Sequence, residues 1–218
     1  MSAGDAGTAV LAQALNWALQ PAFTVLNSPV SWLELVAVVL ALWMVACNMQ
    51  VRPLAWPLAI LSSVLYGLLF WDARLYGDAS LQVFFVAVAG WGWWQWLRGR
   101  DEHGHRLQVS QLRRATLWRA VMAALMAWPL LGLFLSRFTD SDVPYWDAFP
   151  TTLSVLAQWM LGRKHIENWP TWIVVNVVGV GLYAYKGLWL TVGLYTVFIV
   201  LSVAGWQAWR RLLPAAQA

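Results

Sequence analysis

Trp169, Trp172, Asn176, Gly179 and Tyr183 recur at steps of 3, 4, 3 and 4 within NWPTWIVVNVVGVGLY, residues 168–183. On a helix that spacing places all five on one face. Aromatic rings around a single amide suit a flat heterocycle, whose faces stack on the rings while the amide reads its edge. Asn176 lies seven residues beyond Trp169, about 10 Å along a helix axis. Other polar groups in apolar surroundings are Gln82, Gln158 and Tyr195. An amide in such a place serves either a ligand or a neighbouring helix. Glu34 and Asp147 each open an apolar run; they are candidate gate residues, with solvated edge carboxylates as the alternative. No Asp, Glu, His or Lys sits at the centre of a run to relay a proton, and no helix centre is broken to cradle sodium. Ion coupling is therefore not expected, and neither a metal nor a cofactor is called for.

The elements that must position these side chains are membrane spans. The 218-residue chain is 61% hydrophobic and 11% charged, far below the charge of an ordinary soluble domain. Apolar runs cover roughly 31–47, 54–71, 79–97, 116–136, 144–161, 169–185 and 188–209, each near the length a helix needs to cross the hydrocarbon core. Residues 1–30 are interrupted by Pro21 and Pro29 and lack a basic start; they read as an interfacial or loosely packed helix rather than an eighth span or a cleaved signal. The excess positive charge lies in the connections, as a topology signal does, which argues against nucleic acid. Ten Lys and Arg fall on one side (Arg52, the 98–115 loop, Arg163, Lys164, Arg210 and Arg211) against Arg74, Arg137 and Lys186 on the other. The N-terminus is thus expected outside and the C-terminus in the cytoplasm. Cys47 is the one cysteine and reads as a small packing residue. His103 and His105, beside Asp101 and Glu102, read as part of a solvated loop rather than a metal site.

Laid on itself so that Trp56 falls on Trp169, the chain matches in several places. Trp56-Pro57 meets Trp169-Pro170, Phe85 meets Phe198, and Gly92-Trp93-x-x-Trp96 meets Gly205-Trp206-x-x-Trp209. The predicted fold is all-α and integral to the membrane, seven transmembrane helices in a 3+1+3 arrangement. Residues 31–97 form the first three-helix repeat, 98–136 a cytoplasmic loop and linker helix, 144–209 the second repeat and 210–218 a cytoplasmic tail. Equivalent helices are an even number of spans apart, so the repeat is parallel, and in such architectures the substrate site lies between the halves near mid-membrane. The matched second helices differ in chemistry, Ser63 standing where the other half has Asn176 and Phe70 where it has Tyr183. Recognition should be asymmetric.

In WPLAILSSVLYGLLFWDARLYGDASLQVFF at 56–85, GWWQWLRG at 92–99 and ENWPTWIVVNVVGVGLYAYKGLWLTVGLY at 167–195, the chain resembles the bacterial PnuC-type vitamin transporters, over about 31–211. The resemblance implies a SWEET-like fold, uptake of nicotinamide riboside by facilitated diffusion across the inner membrane, and trapping by a cytoplasmic kinase whose charged product cannot leave. It implies binding roles for Trp169, Trp172, Asn176 and Tyr183, which match the pattern WxxWxxxNxxxxxxY, and for Trp56, Tyr66 and Gln82. A homo-oligomer is also suggested. Thiamine and riboflavin are alternative cargoes, thiamine being another flat cation. An integral-membrane enzyme is the rival of another class, disfavoured because His103, His105 and His165 all lie in connections and no acid, base and nucleophile cluster.

Overall fold

The computed structural model describes residues 20–25, 28–72, 76–101, 104–139, 142–185, 187 and 189–213. Seven helices account for nearly all of them: α1 Trp32–Met49, α2 Ala55–Asp72, α3 Tyr76–Arg98, α4 Arg114–Phe138, α5 Pro144–Gly162, α6 Asn168–Tyr185 and α7 Trp189–Arg210. Their bounds fall within a few residues of the apolar runs. Polar and basic clusters end each run, since backbone leaving a helix needs water or another partner. Large apolar side chains point outward, among them Val83, Trp118, Met126, Leu130 and Phe138. In water this surface would be a liability; in a bilayer it is the solvent-facing side. The protein is an all-α, multi-pass membrane protein, with seven helices among the described residues.

The described part of the N-terminal segment is a strand pair rather than the interfacial or loosely packed helix expected there. Pro21–Val25 (β1) and Ser28–Ser31 (β2) form an antiparallel pair, with Phe23 opposite Val30 and an irregularity between Pro21 and Phe23. Pro21 and Pro29 each lack the N–H that a helix interior requires, whereas a two-stranded ribbon leaves outward-facing positions where that N–H is not needed. Residues 1–19 lie outside the described residues.

Two compact units are formed, one by 1–44 with 54–90 and the other by 45–53 with 91–218. In the first, the Ser62 hydroxyl donates to the Ala37 carbonyl of α1 at 3.4 Å, and Gln82 of α3 packs at the position where a Cβ on Gly67 would stand 3.4 Å away. In the second, α4 packs on α5, α5 on α6 and α6 on α7. Glycines allow the close crossings. A Cβ at Gly132 would collide with the Tyr145 ring, one at Gly162 with Trp91 and one at Gly205 with Trp169.

The turns that end α1 and α5 have the same geometry although they lie far apart in the chain. Val51 and Lys164 coincide when Trp56 is laid on Trp169. They are the described non-glycine residues with positive φ, 54° and 59°. Val51 N–H donates to Asn48 and Arg52 N–H to Cys47; correspondingly, Lys164 N–H donates to Leu161 and His165 N–H to Met160. Both are helix ends closed by a left-handed residue with paired bonds back to the last carbonyls. A β-branched side chain is strained there, because its Cβ crowds the following carbonyl. Val51→Gly should therefore raise stability by about 1 kcal/mol, read as a higher midpoint in thermal unfolding of the detergent-solubilised protein.

The loop before α4 is only partly the solvated linker expected from its composition. His105 is exposed and pairs with Asp101 at 3.7 Å, while Glu102 and His103 lie outside the described residues. Further along, the chain docks against the α5–α6 turn with Leu107 and Val109 buried. Ser110 N–H donates to the Lys164 carbonyl at 3.1 Å and Ile166 N–H to the Ser110 carbonyl at 3.0 Å. Lys164 Nζ donates to the Leu107 carbonyl at 3.0 Å, and Leu112 N–H donates to Glu167 Oε1 at 3.0 Å. Alternation of Leu107 and Val109 with polar neighbours is the strand-like signal behind this docking.

His165 shares a 3.2 Å hydrogen bond with the Ser110 hydroxyl and is pushed down to about 4, first by burial and then by the Arg163 charge. Burial also lowers Lys164 and raises Glu167. Between about 4 and 6.5 the undocked histidine binds more protons than the docked one, so docking is fully stable above that window and weakens as pH falls through it. Glu167 acts oppositely at the acidic end, taking up its proton earlier when docked. Protection of the Ser110 and Ile166 amides from hydrogen exchange should fall between about pH 7 and about pH 5. His165→Asn should flatten that dependence.

Candidate functional site

Helix α6 places the aromatic stripe as its spacing predicts, but different residues of the stripe meet different surroundings. Trp169, Asn176 and Gly179 are buried, while Trp172 and Tyr183 are half-buried. Pro170 sits in the first turn, where a missing N–H costs little. Trp169 is 3% exposed. Its ring meets Trp209 edge to face at 5.6 Å between centroids and covers Gly205. Its indole Nε1 is buried without a hydrogen-bond partner among the described residues.

Asn176 is 6% exposed, and its amide makes no hydrogen bond among the described residues. An amide used to join helices is ordinarily bonded to a neighbour; Asn176 sits on a helix that carries no charged residue. One turn further, Tyr195 of α7 lies over Gly179, where a Cβ would come within 2.5 Å of its ring. Tyr195 and Tyr183 pack at 4.8 Å with their hydroxyls 3.4 Å apart, and Phe198 follows at 6.1 Å from Tyr195. The α6–α7 surface thus carries an amide beside a pair of phenols. Such a surface can stack a flat ring and offer both donors and acceptors to it.

In the first unit, Trp56 is 2% exposed, and Tyr66 and Gln82 are half-buried. Gln82 packs against Gly67, next to Tyr66 in sequence. Gln82 and Tyr195 coincide when Trp56 is laid on Trp169, and each covers a glycine of the preceding helix. Ser63 is half-buried, whereas its neighbour Ser62 is buried and bonded to α1. Gln158 and Asp147 are half-buried in α5. The side chain of Glu34 lies outside the described residues, so its role as a gate stays an expectation. Ser202, buried on α7 between Phe198 and Gly205, escaped sequence reasoning. Its signal is the 4- and 3-residue spacing to those two neighbours. No cluster of three or more metal-ligating side chains occurs among the described residues.

Residues 31–211 match the family described as nicotinamide mononucleotide transporter. The chain belongs to this family. Curated relatives include the nicotinamide riboside transporter PnuC of Escherichia coli (strain K12), 25% identical over 203 residues, covering 82% of this chain and 85% of that one. The riboflavin/roseoflavin transporter RibM of Streptomyces davaonensis is 27% identical over 198 residues, covering 89% and 92%. PnuC of Neisseria mucosa is 25% identical over 199 residues, covering 85% and 74%. In fold the chain is similar to the crystal structure of the vitamin B3 transporter PnuC, with a TM-score of 0.67 at 23% identity, covering 83% of this chain and 81% of that one. Family and relatives are transporters, which sets aside the membrane-enzyme alternative.

Proposed function

We propose that this transporter carries nicotinamide riboside across a bacterial inner membrane by facilitated diffusion, a cytoplasmic kinase trapping the product. The observation that carries this is Asn176: a buried amide without a bonding partner among the described residues, flanked by Trp172 and the Tyr183–Tyr195 pair. A pyridinium carboxamide complements it, since the cationic ring is attracted to aromatic faces and the carboxamide can exchange two hydrogen bonds with an asparagine. The riboside is favoured over the mononucleotide because α6 carries no charged residue, and a phosphate ordinarily requires Arg or Lys beside it. Trp169 carries a proposed binding role through the family motif, and Trp56, Tyr66 and Gln82 through the wider family resemblance. Riboflavin is the second cargo to test, favoured by the similarity to RibM, and thiamine is the third.

The 3+1+3 parallel repeat belongs to the same proposal. It is supported by the matching turns at Val51 and Lys164 and by a reciprocal pair of bonds: Trp96 Nε1 donates to the Leu161 carbonyl, and Trp209 Nε1 donates to the Asn48 carbonyl, each at 3.0 Å. Trp96 coincides with Trp209, and Asn48 with Leu161, in the same self-match that lays Trp56 on Trp169. A two-fold exchange of halves converts one bond into the other. The excess of Lys and Arg on one side supports an external N-terminus and a cytoplasmic C-terminus. Glu34 and Asp147 then lie at the outer edge as candidate gate carboxylates, and a homo-oligomer is part of the proposal by resemblance. Calorimetric titration of the purified protein with nicotinamide riboside, its mononucleotide, riboflavin and thiamine tests the cargo. Preference for any of the last three would overturn it.

A further inference from the structure

We propose that the reciprocal bonds Trp96–Leu161 and Trp209–Asn48 are the cytoplasmic gate of the transporter; this rests on the transport function and orientation proposed above. Each bond joins the end of one three-helix repeat to the turn of the other, α3 to α5 and α7 to α1. The two indoles lie 6.3 Å apart, and Trp169 closes the cluster against Trp209. Trp169 opens α6 seven residues before Asn176. A substrate held by Asn176 and moving along α6 toward the basic end of the protein therefore meets Trp169 and Trp209, both buried. The cluster is a plug on that side of the site.

Its chemistry suits repeated opening. The Asn48 and Leu161 carbonyls already accept the N–H groups of Val51 and Lys164 within their own turns. Losing an indole donor leaves neither carbonyl without a partner. The released indole N–H reaches the membrane interface, where a tryptophan is well accommodated with its N–H toward water. The closed arrangement also leaves Trp169 Nε1 without an acceptor among the described residues, a cost that opening or a passing ligand relieves. Because the two bonds are equivalent under the repeat, one rocking motion of the halves breaks both.

The chain carries its own reporter. Cys47, the one cysteine in the sequence, is buried in the last turn of α1, one residue before Asn48, and the proposed separation of this helix end from α7 predicts that its thiol becomes accessible. The experiment measures the rate at which a membrane-impermeant maleimide labels Cys47 in inside-out and right-side-out vesicles. Trp96→Phe and Trp209→Phe remove the donor and keep a ring; each should raise labelling from the cytoplasmic face roughly threefold to tenfold, as expected for one hydrogen bond. Trp128→Phe removes a bond of the same kind, the 2.7 Å contact to the Tyr145 carbonyl, away from the cluster, and should leave labelling unchanged. Unchanged labelling in folded Trp96→Phe and Trp209→Phe variants overturns the gate, and so does equal acceleration in Trp128→Phe, which would report general loosening. A parent protein that binds no riboside overturns the cargo, while the labelling ratios still decide the gate.

Discussion

Replacing Asn176 with alanine should lower the affinity for nicotinamide riboside roughly 10- to 100-fold, the loss expected for one or two hydrogen bonds in a water-poor site. The unfolding temperature is expected to stay where it was. That combination separates a ligand-binding amide from one that joins helices. In the structure the amide has no bond of its own among the described residues to lose, and alanine is a better helix former than asparagine. Calorimetric titration and thermal unfolding on the same preparation check both halves. A variant that binds the riboside as the parent does would remove Asn176 from the site. One that melts earlier and binds normally would return it to helix packing. Tyr195 of α7 covers Gly179 and meets the Tyr183 hydroxyl on the same face of α6.

The largest loss of stability is expected at the opposite end of α7. Trp209 is 0% exposed, donates to the Asn48 carbonyl, and packs on both Trp96 and Trp169. Trp209→Ala removes a large buried ring whose surroundings cannot collapse, because Gly205 already draws Trp169 tightly against α7. The expected cost is about 3–5 kcal/mol, most of it from the cavity rather than the hydrogen bond, which contributes about 1 kcal/mol. Trp209→Phe should therefore retain most of the stability. Thermal unfolding of the two variants in detergent reads the difference, and near-equal midpoints would mean that the ring is not the element that joins these helix ends.

Several features follow from the chain alone, and they are those set by local physics. Seven helices are legible because the bilayer demands about 20 apolar residues for each span and water demands polar residues between them. The face shared by Trp169, Trp172, Asn176, Gly179 and Tyr183 follows from helical spacing, and the internal match follows from paired tryptophans such as Trp56 with Trp169 and Trp96 with Trp209. The N-terminal β1–β2 pair is not legible in the same way, because proline interruptions signal only where a helix is weak, and not what replaces it.

Other features required the chain to be folded. One stripe of α6 divides into Trp169, enclosed by Trp209 and Gly205, and Asn176, whose amide has no bond among the described residues. Spacing fixes which residues share a face; which neighbours they meet depends on how closely α7 approaches, and glycines at 179 and 205 set that distance. The docking of Leu107–Leu112 on the α5–α6 turn likewise pairs segments about 55 residues apart, beyond any helical or strand period. The reciprocal tryptophan bonds pair groups 65 and 161 residues apart. Composition marks those tryptophans as membrane residues, and only the tertiary arrangement pairs the end of α3 with α5 and the end of α7 with α1.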